Sequence, residues 1–99
     1  MNNNKNVMYV TLTNNSANAE VYEKDFKELL SFGLPHRWNY HQGHVWVRHK
    51  GRNLQVARLI LDADKGQKVV QIDKSPLNLK RENLLLKTGK AKHRTRDLL

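Results

Sequence analysis

A small α+β fold is predicted for this 99-residue chain by three observations. Short β-branched and aromatic runs with partial alternation recur at residues 7–13, 44–49 and 68–72, the pattern of half-buried strands. Residues 21–31 change period: Tyr22, Phe26, Leu29 and Leu30 fall at i, i+4, i+7 and i+8, one apolar helical face. Glycine and polar clusters separate these segments at hairpin-like spacing. Together they predict a small N-terminal antiparallel sheet with one helix. A second unit of two strands around a short helix, then a basic C-terminal helix, follow.

The elements can be justified in order. Residues 2–6 read as a disordered tail. The strand at 7–13 stops in the polar cluster 14–18. The helix over 21–31 ends at Gly33, and Pro35 forbids its continuation. Residues 37–40 and 44–49 make two strands turned at Gly43. Residues 50–53 turn again, and 54–61 begin as a third strand and pass into a helix. Residues 62–66 are a loop and 68–72 a strand. Ser75 and Pro76 open a short helix, since proline is tolerated at an early helical position. Residues 84–86 are a last strand and 89–99 a helix. No repeat or linker interrupts residues 7–99, so a single domain is expected.

Composition narrows the function. Hydrophobic residues make up 38% of the chain, modest but above the disordered range. There is no cysteine, which excludes a disulfide framework and a thiolate zinc site. No apolar run approaches the roughly 20 residues of a membrane span. The first six residues lack the apolar stretch of a signal peptide, so a cytoplasmic protein is expected. Lys and Arg number 18 against 9 Asp and Glu, a net charge of +9. That excess points to a polyanion, nucleic acid above all, although an acidic protein surface would satisfy the charge equally.

The basic residues are grouped. Residues 36–61 hold Arg37, Arg48, Lys50, Arg52 and Arg58 with no acid, interleaved with Trp38, Tyr40 and Trp46. The two-residue period puts Trp46 and Arg48 on one face and Val45 and Val47 on the other. Such a cationic and aromatic face can lie in a major groove or along phosphates. At least one tryptophan is expected in the core, because a chain this small needs large side chains to bury. A second group, Lys87, Lys90, Lys92, Arg94 and Arg96, precedes the next acid, Asp97. His36, His41, His44 and His49 lie within fourteen residues, but His44 and His49 point to opposite faces of their strand. No metal and no cofactor is therefore expected.

Residues 68–87 resemble the central motif of the HNH endonucleases, compact ββα-metal nucleases common in phages. Lys80, Arg81, Glu82, Asn83 and Leu84 are the sharpest element. The likeness extends over residues 7–99, with 19–30 similar to the family's N-terminal helix, 38–48 to its Trp-containing hairpin and 57–60 to the strand before the motif. It implies a degenerate ββα-metal fold.

HNH chemistry needs a divalent ion, side chains to hold it, and a neutral histidine to take a proton from water. By the resemblance, Val70 stands at a metal-ligand position, Gln71 at the base, Asn83 at the residue that orients the base, and Lys92 at the second metal ligand. Ala57 replaces a further histidine. Valine has no donor atom, an amide is no base near neutral pH, and an ammonium repels a cation. With no base to orient, Asn83 is expected to tie local backbone. The resemblance thus implies a nuclease scaffold that does not cut, with Lys80 and Arg81 joining the two basic groups as DNA contacts. The expected function is a non-catalytic, regulatory protein of phage-like origin that binds double-stranded DNA in the host cytoplasm. Two alternatives stay open. One is a phage inhibitor whose basic face blocks a host polymerase or defence nuclease. The other is a metal-dependent nickase rewired through Asp73 and His93.

Overall fold

Alternation along residues 38–55 builds the largest sheet among the described residues of this computed structural model, which are 6–63 and 66–87. Strand β3 (Trp38–His41) pairs with β4 (His44–His49), which pairs with β5 (Arg52–Gln55), all antiparallel. Both connections are two-residue turns. Gln42 and Gly43 have φ of 52° and 80°, and Lys50 and Gly51 have φ of 51° and 78°. Positive φ at both central residues is the hairpin geometry that matches strand twist, and glycine adopts it without a Cβ penalty. The second turn is tighter than the four residues expected, so Arg52 and Asn53 belong to β5.

Before this sheet, β1 (Val7–Thr11) pairs antiparallel with β2 (Asn18–Tyr22), and α1 (Glu23–Ser31) follows directly. The expected helix start at residue 21 is corrected: residues 18–22 are a strand. Ala19 and Val21 are fully buried on either side of half-buried Glu20, and the pairing with β1 captures the segment. The first-turn acids Glu23 and Asp25 suit the positive end of α1. The Glu23 N–H finds the Asn6 carbonyl at 2.7 Å. Of the expected apolar face, Leu29 is buried and Phe26 packs on the core, whereas Leu30 is exposed.

After β5 the chain enters α2 (Val56–Leu61), six residues of which Val56, Ala57, Leu59 and Ile60 are buried. A helix this short is marginal alone and is held by packing. Strands β6 (Lys68–Gln71) and β7 (Leu84–Lys87) pair antiparallel, and a 3-10 turn, Arg81–Asn83, leads into β7. The short helix expected at Ser75 and Pro76 is corrected: residues 75–78 form a turn closed by the Asn78 N–H on the Ser75 carbonyl at 3.2 Å. The Leu79 N–H, which a helix from Ser75 would turn back onto the Ser75 carbonyl, donates instead to the Glu20 carbonyl of β2 at 2.7 Å. The expected helix over 89–99 and residues 2–5 of the expected tail lie outside the described residues, whereas Asn6, assigned to that tail, is held by Glu23.

One buried cluster joins these elements around Trp38, which is 1% exposed. The ring of Phe26 meets it at 5.7 Å, and its indole N–H donates to the Pro35 carbonyl at 3.2 Å. The β3 edge is tied to the first hairpin. Thr13 N–H donates to the Trp38 carbonyl, and the Asn14 amide both donates to and accepts from the Tyr40 backbone. Main-chain bonds between Glu20 and residues 77 and 79 tie β2 to the segment before the 3-10 turn. The described fold is thus a small α+β arrangement with three antiparallel sheets and two α-helices.

Candidate nucleic-acid interface

The strand register separates two faces of the β3–β4–β5 sheet. Trp38 and Val47, Tyr40 and Val45, and Val47 and Leu54 are cross-strand partners facing the core. The opposite face carries Asn39, Trp46 and Gln55 in one cross-strand row, with Arg48 and Asn53 in the next. His41 and His44 pair at the hairpin end. Trp46 and Arg48 share this face, opposite Val45 and Val47, as the alternation predicted.

Trp46 is half-buried rather than core, so one tryptophan is structural and the other is presented to the outside. Its indole N–H donates to the His41 carbonyl at 2.9 Å, and the His44 ring stands edge-on to it at 6.0 Å. Arg48 is exposed, with Nη1 on Asn53 Oδ1 at 3.4 Å. Asn39, His41, Gln42, Trp46 and Asn53 line a shallow concavity here. The carboxamides are functional candidates that sequence reasoning missed. Asn39 was legible from its alternation with Trp38 and Tyr40, whereas Asn53 and Gln55 needed the register of β5.

The expected basic contacts divide into two groups. Arg37, Lys50 and Arg52 are exposed around the sheet, and Lys87 is exposed at the end of β7 opposite Lys68. Arg58, half-buried on α2, donates to the Gln67 carbonyl. Arg81 donates to Asp25 Oδ1 at 2.8 Å and to the Ile60 carbonyl at 3.0 Å. Lys80 lies 3.8 Å from Glu20. These three are engaged in the fold and stand apart from the β3–β4–β5 face. Lys90, Lys92, His93, Arg94 and Arg96 lie outside the described residues.

Of the positions implied by the HNH resemblance, Val70 and Gln71 lie on β6 and Asn83 in the 3-10 turn before its partner β7, Ala57 lies on α2, and Lys92 lies outside the described residues. Val70 is half-buried opposite Leu85, and Gln71 directs its amide to the Pro76 carbonyl at 3.4 Å. Asn83 is buried. Its Oδ1 accepts the Asp73 N–H at 2.9 Å, and its Nδ2 donates to Asp73 Oδ1 at 2.8 Å and to the Asn78 carbonyl at 3.0 Å. Tying local backbone is the role expected of it.

Asp73 also accepts from Asn78 Nδ2 and the Ser75 N–H, both at 2.8 Å. The Asn78 bond and then the Ser75 N–H hold its carboxyl below the usual carboxylate value against desolvation, with lesser help from Asn83 and the charge of Lys80. Asp73 is exposed, with Oδ1 accepting from Ser75 and Asn83 and Oδ2 from Asn78. Among the described residues no three His, Asp or Glu side chains are grouped to hold a metal ion. No described helix is long and apolar enough to cross a membrane. Comparison with protein-family profiles, curated proteins and solved structures finds no match to this chain.

Proposed function

We propose that this chain is a non-catalytic, basic, HNH-like protein of phage-like origin that binds double-stranded DNA in a regulatory role. One observation carries the reading. The solvent face of β3–β4–β5 sets Arg48 and Trp46 among uncharged amides, within twenty-six residues that hold five cations and no acid. Nothing on that stretch repels a phosphate backbone. The absence of cutting is supported by side-chain chemistry: Val70 has no donor atom, Gln71 is not a base, and Asp73 is taken up by Asn78, Ser75 and Asn83.

Contacts with the duplex would come from Arg37, Arg48, Lys50, Arg52 and Lys87, with Lys90, Lys92, Arg94 and Arg96 added by the resemblance. Such binding releases counterions, so its affinity depends steeply on salt. With about five phosphates neutralised, affinity for a duplex falls about 10²–10³-fold between roughly 50 and 200 mM salt. Fluorescence anisotropy with a labelled duplex measures it. No binding at the lower salt defeats the reading and leaves an acidic protein as the partner. A plasmid incubated with the protein and magnesium or manganese stays intact on this reading. Nicking that disappears in His93→Ala overturns the non-catalytic part.

A further inference from the structure

We infer that the outer face of β3–β4–β5 reads base edges in the major groove, with Asn39 and Gln55 as adenine-reading carboxamides and Arg48 as a guanine-reading fork. The inference rests on the DNA-binding reading above and adds which part of the duplex is recognised and by which atoms.

The fit begins with dimensions. Neighbouring strands lie about 4.8 Å apart, so β3 and β5 are separated by about 10 Å. The major groove is about 12 Å wide and admits a two-stranded β-ribbon, so the three strands lie across its mouth and send the side chains of their outer face in. The central row then runs across the groove floor as Asn39, Trp46 and Gln55, in direct cross-strand register.

The polar groups of that row are available. Neither the Asn39 nor the Gln55 carboxamide is engaged by another described residue, whereas the Asn14, Asn78 and Asn83 amides are all spent on local bonds. Each free carboxamide offers one donor and one acceptor side by side, the complement of adenine N7 and N6. Arg48 holds Asn53 by Nη1 alone, which steadies the guanidinium and leaves other N–H groups for guanine O6 and N7. Trp46 has its N–H committed to the His41 carbonyl, so the row centre presents apolar ring surface, suited to a thymine methyl. Cytosine is read by an acceptor-only carboxylate, and residues 36–61 contain no Asp or Glu. Chemistry and register therefore favour purine edges, with adenine flanking a thymine contact and guanine one row away.

Selection of duplexes from a randomised library by the full chain tests this, followed by anisotropy on the selected duplex and a scrambled one. An A/T-containing core with a flanking G is expected. Arg48→Lys keeps the charge and the salt dependence but loses about tenfold to a hundredfold of the preference at the guanine. Asn39→Ala and Gln55→Ala each relax an adenine position by a similar factor, with thermal unfolding unchanged. A measurement free of protein variants replaces the selected purines by their 7-deaza forms, which lack the N7 acceptor and bind more weakly on this inference. Duplex binding with no enriched sequence, or with 7-deaza duplexes bound as tightly, overturns base reading while DNA binding stands. Failure to bind any duplex at low salt removes both.

Discussion

Asp73 organises the segment between β6 and the 3-10 turn. Its carboxylate receives Asn78, the Ser75 N–H and Asn83, and its own N–H goes to Asn83. These bonds favour the ionised form, so the folded pKa lies below the ordinary 3.8, the Asn78 bond contributing most. A carboxyl depressed on folding contributes stability that is present above its unfolded pKa and lost as pH falls through the folded value. Asp73→Ala is therefore expected to lower the melting temperature most at neutral pH, with the gap to wild type narrowing below about pH 4. Thermal melts across that range check it; an equal gap at every pH contradicts the assignment. Tyr22 runs the opposite way. Its phenol donates to Glu82 at 2.5 Å, and that bond, with burial and the nearby carboxylates, pushes its pKa up to about 12. It stays neutral wherever the fold operates, an anchor between the start of α1 and the 3-10 turn.

At the scale of elements, the two hairpin turns govern which side chains reach the outer face. A one-residue slip at Lys50 and Gly51 would move Asn53 and Gln55 to the core side and Leu54 to solvent. Gly51 has φ +78°, and a Cβ built there meets nothing within 4 Å. Gly51→Ala is thus expected to cost about 1 kcal/mol through backbone conformation alone, read from the urea midpoint with the slope unchanged. No loss would mean the turn adopts another geometry. Strands β3 and β4 were legible because period-two alternation is local. Strand β2 was not, because Tyr22 stands in the helical row of Phe26, Leu29 and Leu30 until β1 pairs with residues 18–22. The Ser75–Pro76 helix failed for a similar reason: the proline is compatible with a helix start, but Glu20 of β2 takes the Leu79 N–H and the Leu77 carbonyl that helical turns would use.

For the whole molecule, contacts between distant segments set the role of single cations. Arg81 joins α1, α2 and the 3-10 turn through Asp25 and the Ile60 carbonyl, with Glu28 at 3.9 Å. The Asp25 side chain is 5% exposed and its Oδ2 has no hydrogen-bond partner, while Arg81 is 48% exposed. Removing a partner from a buried pair costs more than removing a surface pair, and solvent around Arg81 moderates it. Arg81→Met is expected to cost about 2–3 kcal/mol of stability, part of it recovered in Asp25→Asn/Arg81→Met. Urea unfolding of the single and double variants measures both. A stable Arg81→Met protein with weakened duplex binding would instead return Arg81 to the DNA contacts.

The sequence by itself determined the α+β class, the strong positive charge, and the alternation that sets Trp46 and Arg48 against Val45 and Val47. These are legible because side-chain direction follows from backbone geometry over a few residues. Tertiary structure alone decided that Trp38 is core and Trp46 is presented. It also decided that Asn39, Trp46 and Gln55 share one row, and that Arg81 serves Asp25, fifty-six residues away. Pairing register and partners across such separations depend on which buried surfaces meet, and no local period records that.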